Sequence, residues 1–354
     1  MKIFRLIAII AMLCTAAWAQ PQDLVYTLPT DNTSLFTTGG DDYFMYVDRL
    51  FEGVKTTPWQ AGTYGMVRNP FRPQPGAPVM FSRFHEGIDV KPIYRNSNGE
   101  PQDMVRPIAP GVVVHASTMP GHSNYGRYVV ISHRVPEGTI YSLYAHLASV
   151  SCSVGQEISI QDEIGRLGYS GVGLNKTRAH LHLEICLMIN SRFAEFYTGE
   201  NKHGNFNGMN LAGINPADVL QRCRNGDTFS LSSYFAGLKE HYRVAVPCIR
   251  AMDILRRHPF LYKGSRTERT RPHSLEIAFT AEGIPIGIYP ASRHVSQPFV
   301  ISCRSMPTVQ QNCTVNRIKN LSDKAALTVS GVNYINQYLW TSECNKQPVV
   351  NLLP

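Results

Sequence analysis

His180-Leu181-His182-Leu183-Glu184-Ile185 alternates polar and apolar side chains with a period of two, the repeat of a β-strand rather than a helix. On such a strand His180, His182 and Glu184 project from one face, while Leu181, Leu183 and Ile185 project from the other. Two imidazoles on one strand face suit a metal or acid–base site, although an exposed polar face on an antiparallel strand reads the same way. Working outward, the runs Gly111-Val112-Val113-Val114, Arg127-Tyr128-Val129-Val130-Ile131 and Thr139-Ile140-Tyr141-Ser142-Leu143-Tyr144 repeat the theme of short strands between turns. From Val105 to Val219 this rhythm predicts a mainly β, antiparallel domain.

Two further pieces bear on chemistry. His85-Glu86-Gly87-Ile88-Asp89 is an H-x-x-x-D with glycine between two candidate ligands. Imidazole nitrogen and carboxylate oxygen both bind Zn²⁺, and a loop or strand end can aim both at one ion. The spacing is common, so alone it reads more readily as an exposed polar pair than as a metal site. Tyr144-Ala145-His146 ends a strand before a turn, and period two places Ser142, Tyr144 and His146 on one face. A lone histidine of this kind is usually structural.

In the order H-x-x-x-D, Y-x-H, H-x-H, these pieces resemble the lysostaphin-type (LytM-like) family of peptidoglycan zinc endopeptidases. The intervening text is similar too, at Pro107 to Val114, the Tyr128 to His133 strand, Leu143 to Leu147, Val154-Gly155-Gln156 and Ile164 to Gly168. The resemblance covers roughly residues 80 to 220. It implies an antiparallel β-sheet metallopeptidase domain with a zinc groove, one Zn²⁺ per chain, and peptidoglycan as partner and substrate. It further implies that His85, Asp89 and His182 hold the metal, leaving one position open, and that His146 and His180 flank it for proton transfer and oxyanion stabilisation. Which of the two does which stays open. Glu184 could support a histidine from behind or be a surface carboxylate, and Glu86 is given no role. The pattern departs from the family at Ala179, where proline is usual, at Leu183, where an aromatic is usual, and in a Gly168 to Arg178 loop about three residues longer than common. That loop, with Asn175, Lys176 and Arg178, is expected to border the substrate groove.

The remainder of the chain sets the context. Lys2 and Arg5 precede an apolar run from Leu6 to Leu13 and the small-x-small pattern Ala17-Trp18-Ala19, which reads as a secretory signal peptide over 1–19 and predicts an exported, periplasmic or secreted protein without a transmembrane segment. The net charge of +8, or +6 without Lys2 and Arg5, suits a polyanionic surface such as a cell wall. Nucleic-acid binding has no signature beyond that charge. Seven cysteines follow the leader, and in an oxidising compartment some should pair; Cys303 and Cys313 are spaced to close a hairpin-sized loop. The expected organisation is an N-terminal segment packed on the core (20–78), the metallopeptidase domain (79–226), and then a helical connector from Leu231 to His258 with a smaller C-terminal β-rich domain (227–354). A lipoyl-type carrier hairpin is excluded, because its tip Ile160-Gln161-Asp162-Glu163 has no lysine to modify. A catalytically silent cell-wall binder or hydrolase activator is the alternative of a different class.

Overall fold

A computed structural model describes residues 21–341 apart from 39, 202, 250–251, 266–271, 305–314 and 321–323. The leader reading falls outside these residues, and no described helix is long and apolar enough to cross a membrane. The protein is mainly β and antiparallel. Its central sheet runs in the order Glu157–Ile158, Gly111–Ser117, Tyr128–Val135, Gly138–Ala145, Leu181–Met188 and Leu211–Ile214, with Ile88–Val90 also paired to Leu181–Met188.

Alternation sorts the side chains of this sheet into two cores. Val129, Ile131, Tyr144, Leu181, Leu183, Ile185 and Leu187 enter the main core, while Tyr128, Val130, Leu143, Ala145, Cys186 and Met188 form a second cluster on the opposite face. His182 and Glu184 belong to that second face by period two. Every residue of Leu181–Met188 is buried, so the polar face is not a solvent face. Burying imidazoles and a carboxylate is costly unless they satisfy one another, and here they do.

The N-terminal residues wrap this sheet and extend it. Phe44 bridges Val90, and the Met45 N–H donates to the Asp89 carbonyl at 2.8 Å. Two hairpins follow, Arg49–Phe51 with Val54–Thr56 and Gly65–Phe71 with Met80–His85; the second carries a bulge between Met66 and Arg68.

Past residue 227 the structure differs from the expected helical connector. Short helices at Leu231–Ala236 and Asp253–Arg257 flank a strand, Tyr242–Pro247. That strand is internal to a four-stranded antiparallel sheet, between Ser274–Phe279 and Phe299–Cys303. Tyr242, Val244, Ala245 and Val246 are buried in it, and β-branched apolar residues flanked on both edges prefer this setting to a helix. The helix Val329–Leu339 lays Tyr334 and Tyr338 against Phe279. Asn190 donates to the carbonyls of Gln337 and Trp340, tying that helix to the central sheet. Among the described residues Cys152, Cys186, Cys223 and Cys303 are free thiols; the Cys303–Cys313 spacing involves a residue that is not described. Cys313 and Cys344 lie outside the described residues.

Candidate metal centre

Strand register brings the H-x-x-x-D and H-x-H pieces together. Asp89 is the direct cross-strand partner of His182, and Ala145 is its partner on the other side, so Asp89 and His182 project from the same face. His85 arrives from the end of Met80–His85, one tight turn before Asp89. Gly87 makes that turn possible: a Cβ there would stand 2.3 Å from the Leu183 carbonyl oxygen and 3.0 Å from both Glu184 Cγ and His182 Cε1. Gly87→Ala is therefore expected to destabilise the fold by about 1–3 kcal/mol, read as a lowered thermal midpoint.

Three donor atoms converge on one point. His85 Nε2, His182 Nδ1 and Asp89 Oδ1 form a triangle with all three edges 3.1 Å. The far side of each ring decides which atom carries the proton. His85 Nδ1 lies 2.8 Å from the Thr63 carbonyl, which can only accept, so Nδ1 carries the hydrogen. His182 Nε2 lies 2.9 Å from Glu184 Oε1 and donates to it. Both rings then turn lone pairs toward the Asp89 oxygen. Three buried lone pairs at this separation repel unless a cation lies among them, and ligands of a tetrahedral zinc at about 2.0–2.1 Å stand roughly 3.3 Å apart. The donor set fits that metal.

The electrostatics agree. Burial disfavours an ionised Asp89, but His180, His85 and Arg68 outweigh it and hold its carboxyl well below the usual carboxylate range. Burial likewise disfavours a charged His182, yet Asp89 and Glu184 outweigh it and raise its pKa to about 10, so a proton on Nδ1 competes with a metal for the same lone pair. The cluster thus favours a positive charge within it.

The other two histidines flank the triangle. His180 Nδ1 donates to the Arg178 carbonyl at 2.8 Å, and its Nε2 lies 3.4 Å from Asp89 Oδ1. His146 Nδ1 donates to the Ser170 carbonyl at 3.0 Å, and its ring centroid is 4.8 Å from that of His180 and 5.8 Å from that of His182. Burial, reinforced by His180 and His182, pushes the His146 pKa well down, so it is neutral. The period-two expectation for His146 needs correction. Strict alternation would send it into the core with Tyr144, whose hydroxyl accepts from the Ile108 N–H. The strand instead ends at Ala145, and His146 adopts φ +64°. This left-handed backbone turns the ring to the metal face at a cost of about 1 kcal/mol or more.

Two supporting residues were not legible as such. Glu184, left open as support or surface, is fully buried; it accepts from His182 and also from the Tyr125 hydroxyl at 2.8 Å. Arg68 was missed altogether: its guanidinium pairs with Asp89 Oδ2 while its Nε donates to the Ala61 carbonyl at 2.8 Å. It thereby leaves Oδ1 facing the triangle. Only the bulged register of its hairpin delivers it there, which no sequence spacing signals. Glu86 sits behind His182 beside Glu184 rather than among the three donors.

Residues 83–192 match the model of peptidase family M23. No curated protein matches the chain. Among solved structures, the catalytic domain of the antimicrobial peptidase lysostaphin from Staphylococcus simulans is 20% identical, over 45% of this chain and 89% of that one, with a TM-score of 0.28. The catalytic domain of the prophage-encoded M23 protein EnpA from Enterococcus faecalis, in variant form, is 18% identical over 42% and 85%, with a TM-score of 0.25. A zinc-containing peptidase from Vibrio cholerae is 22% identical over 40% and 43%, with a TM-score of 0.23. The segment that carries His85, Asp89, His146, His180 and His182 is therefore a match to peptidase family M23, the lysostaphin-type family that the sequence resembles.

Proposed function

We propose that this chain is an exported zinc endopeptidase that hydrolyses amide bonds in the stem peptides or cross-bridges of peptidoglycan, with His85, Asp89 and His182 holding one zinc ion. One observation carries the reading: three buried lone pairs, each oriented from behind, meet at 3.1 Å within a segment matched to a peptidase family. A basic chain suits an anionic wall. The residues past 227 are proposed to act as an accessory region to the peptidase segment.

Zinc bound there supplies Lewis acidity, bringing the pKa of a water to about 7 and polarising the scissile carbonyl. The protein's part is orientation and proton movement. Neutral His146, its Nδ1–H anchored on Ser170, takes the water's proton at Nε2. His180, anchored on Arg178 through Nδ1, turns Nε2 toward Asp89 and stands beside the developing oxyanion, while the proton that His146 took from the water passes to the leaving amine as the C–N bond breaks. Substrate lies along the groove as an extended strand.

Glu184→Gln weakens the acceptor behind His182 and is expected to lower zinc affinity about 10-fold or more, measured by competition with a chromogenic chelator. The function itself is tested by digesting purified peptidoglycan and analysing the products by mass spectrometry. The account expects fragments that have gained one water and a new amino terminus, absent from a chelated sample. Zinc-loaded protein that releases no fragment from several wall types would point to a binding or activating role.

A further inference from the structure

Tyr125 touches both halves of the metal centre, although it takes no part in the proton steps. Its hydroxyl donates to Glu184 Oε1 at 2.8 Å, and the same oxygen accepts from His182 Nε2 at 2.9 Å. Its carbonyl accepts from the His146 N–H at 2.9 Å, where the strand has ended and the backbone turns left-handed. The Tyr125 ring lies 6.0 Å from that of His182 and 5.1 Å from that of Tyr128, centroid to centroid.

The loop that carries Tyr125 is pinned on the same side. Gly126, at φ +62°, allows a close approach to the next loop: a Cβ there would stand 2.4 Å from the Ser170 carbonyl carbon and 2.5 Å from the Gly171 nitrogen. The Arg127 N–H donates to Ser170 Oγ at 2.9 Å, and the Ser170 carbonyl holds the His146 ring. Two adjoining loops therefore fix the backbone and the ring of His146, and one of them also reaches Glu184. At the far end of the phenol, Gly208 leaves the space it needs, since a Cβ there would stand 2.9 Å from the hydroxyl oxygen.

Glu184 is fully buried, and its other oxygen receives the Cys186 thiol at 3.3 Å, a weak donor. A buried carboxylate stays charged and in place through the donors it collects, and a metal-ligating imidazole depends on the acceptor behind it. Burial pushes the Tyr125 pKa well up and Glu184 adds to the rise, so the phenol remains a donor. We propose that Tyr125 is a positioning residue that sets the ligand His182, through Glu184, against the proton carrier His146. The proposal rests on the zinc endopeptidase reading above and extends it to a residue outside the five that face the metal.

Two variants of the full-length protein test it. Tyr125→Phe removes the hydroxyl and keeps the ring and the carbonyl; Gly208→Ala crowds the hydroxyl and leaves Tyr125 unaltered. Zinc affinity is measured by competition with a chromogenic chelator, ligand geometry by the visible absorption of the cobalt-substituted protein, and fold by thermal melting. Tyr125→Phe is expected to lower zinc affinity about 10-fold, to shift the cobalt bands, and to lower kcat about 10-fold with KM near that of the parent chain. Gly208→Ala should move all three in the same direction by less. Variants that match the parent in affinity, cobalt spectrum and kcat, and differ only in melting temperature, overturn the proposal and leave the endopeptidase reading intact. Phenol-dependent zinc affinity in a parent chain that cuts no wall type supports the positioning of His182 and overturns the endopeptidase reading. A parent chain that binds neither zinc nor cobalt overturns both.

Discussion

His182→Ala is expected to remove bound zinc and lower amide hydrolysis by on the order of 10³-fold or more. His182 supplies one corner of the 3.1 Å triangle and is the member linked to Glu184 from behind. Alanine leaves two donors where three are needed for an open catalytic site, and the loss of metal activation forfeits several kcal/mol of transition-state stabilisation, each 1.36 kcal/mol being tenfold. Metal analysis of the purified variant checks the first half and peptide cleavage the second. Because His182 sits in a fully buried strand, a circular dichroism melt on the same sample separates loss of metal from loss of fold. A folded variant that keeps stoichiometric zinc would remove His182 from the ligand set.

His146→Ala and His180→Ala should behave differently. Each is expected to lower kcat by about 10²–10⁴-fold while zinc content and KM stay near those of the parent chain. The reason is positional: His146 and His180 contact the cluster from its flanks, with Nδ1 tied to the Ser170 and Arg178 carbonyls, and neither contributes an edge of the triangle. For His146→Ala a second effect enters, since alanine must also hold the left-handed φ of +64°. His146→Asn, which tolerates that backbone better, separates the strain from the lost proton acceptor: an equally low kcat assigns the defect to chemistry. If zinc is lost with either residue, the division into ligands and proton carriers fails.

How much of this was readable from sequence follows from the range of the interactions. The strand His180 to Ile185 announced its two faces because alternation is local, and the burial of Leu181, Leu183 and Ile185 in one core and Cys186 in the other follows that pattern. The meeting of His85, Asp89 and His182 could be expected only through the ordered pattern, since their pairing spans 93 to 97 residues. The orientation of His146 escaped because period two assumes that the strand continues, and one left-handed residue reverses the face. Arg68 escaped because a bulge sets its register. Tyr242 to Pro247 reads as part of a helical connector because a short apolar run carries no periodicity that separates strand from helix, and its two sheet neighbours, Ser274–Phe279 and Phe299–Cys303, lie far along the chain.

The most direct test of the account is a zinc titration of chelator-stripped protein, following cleavage of peptidoglycan cross-links by mass spectrometry. No cleavage is expected without metal, with a linear recovery that breaks at one zinc per chain. Cleavage by the metal-free protein, or none at one zinc per chain across several wall types, would contradict it.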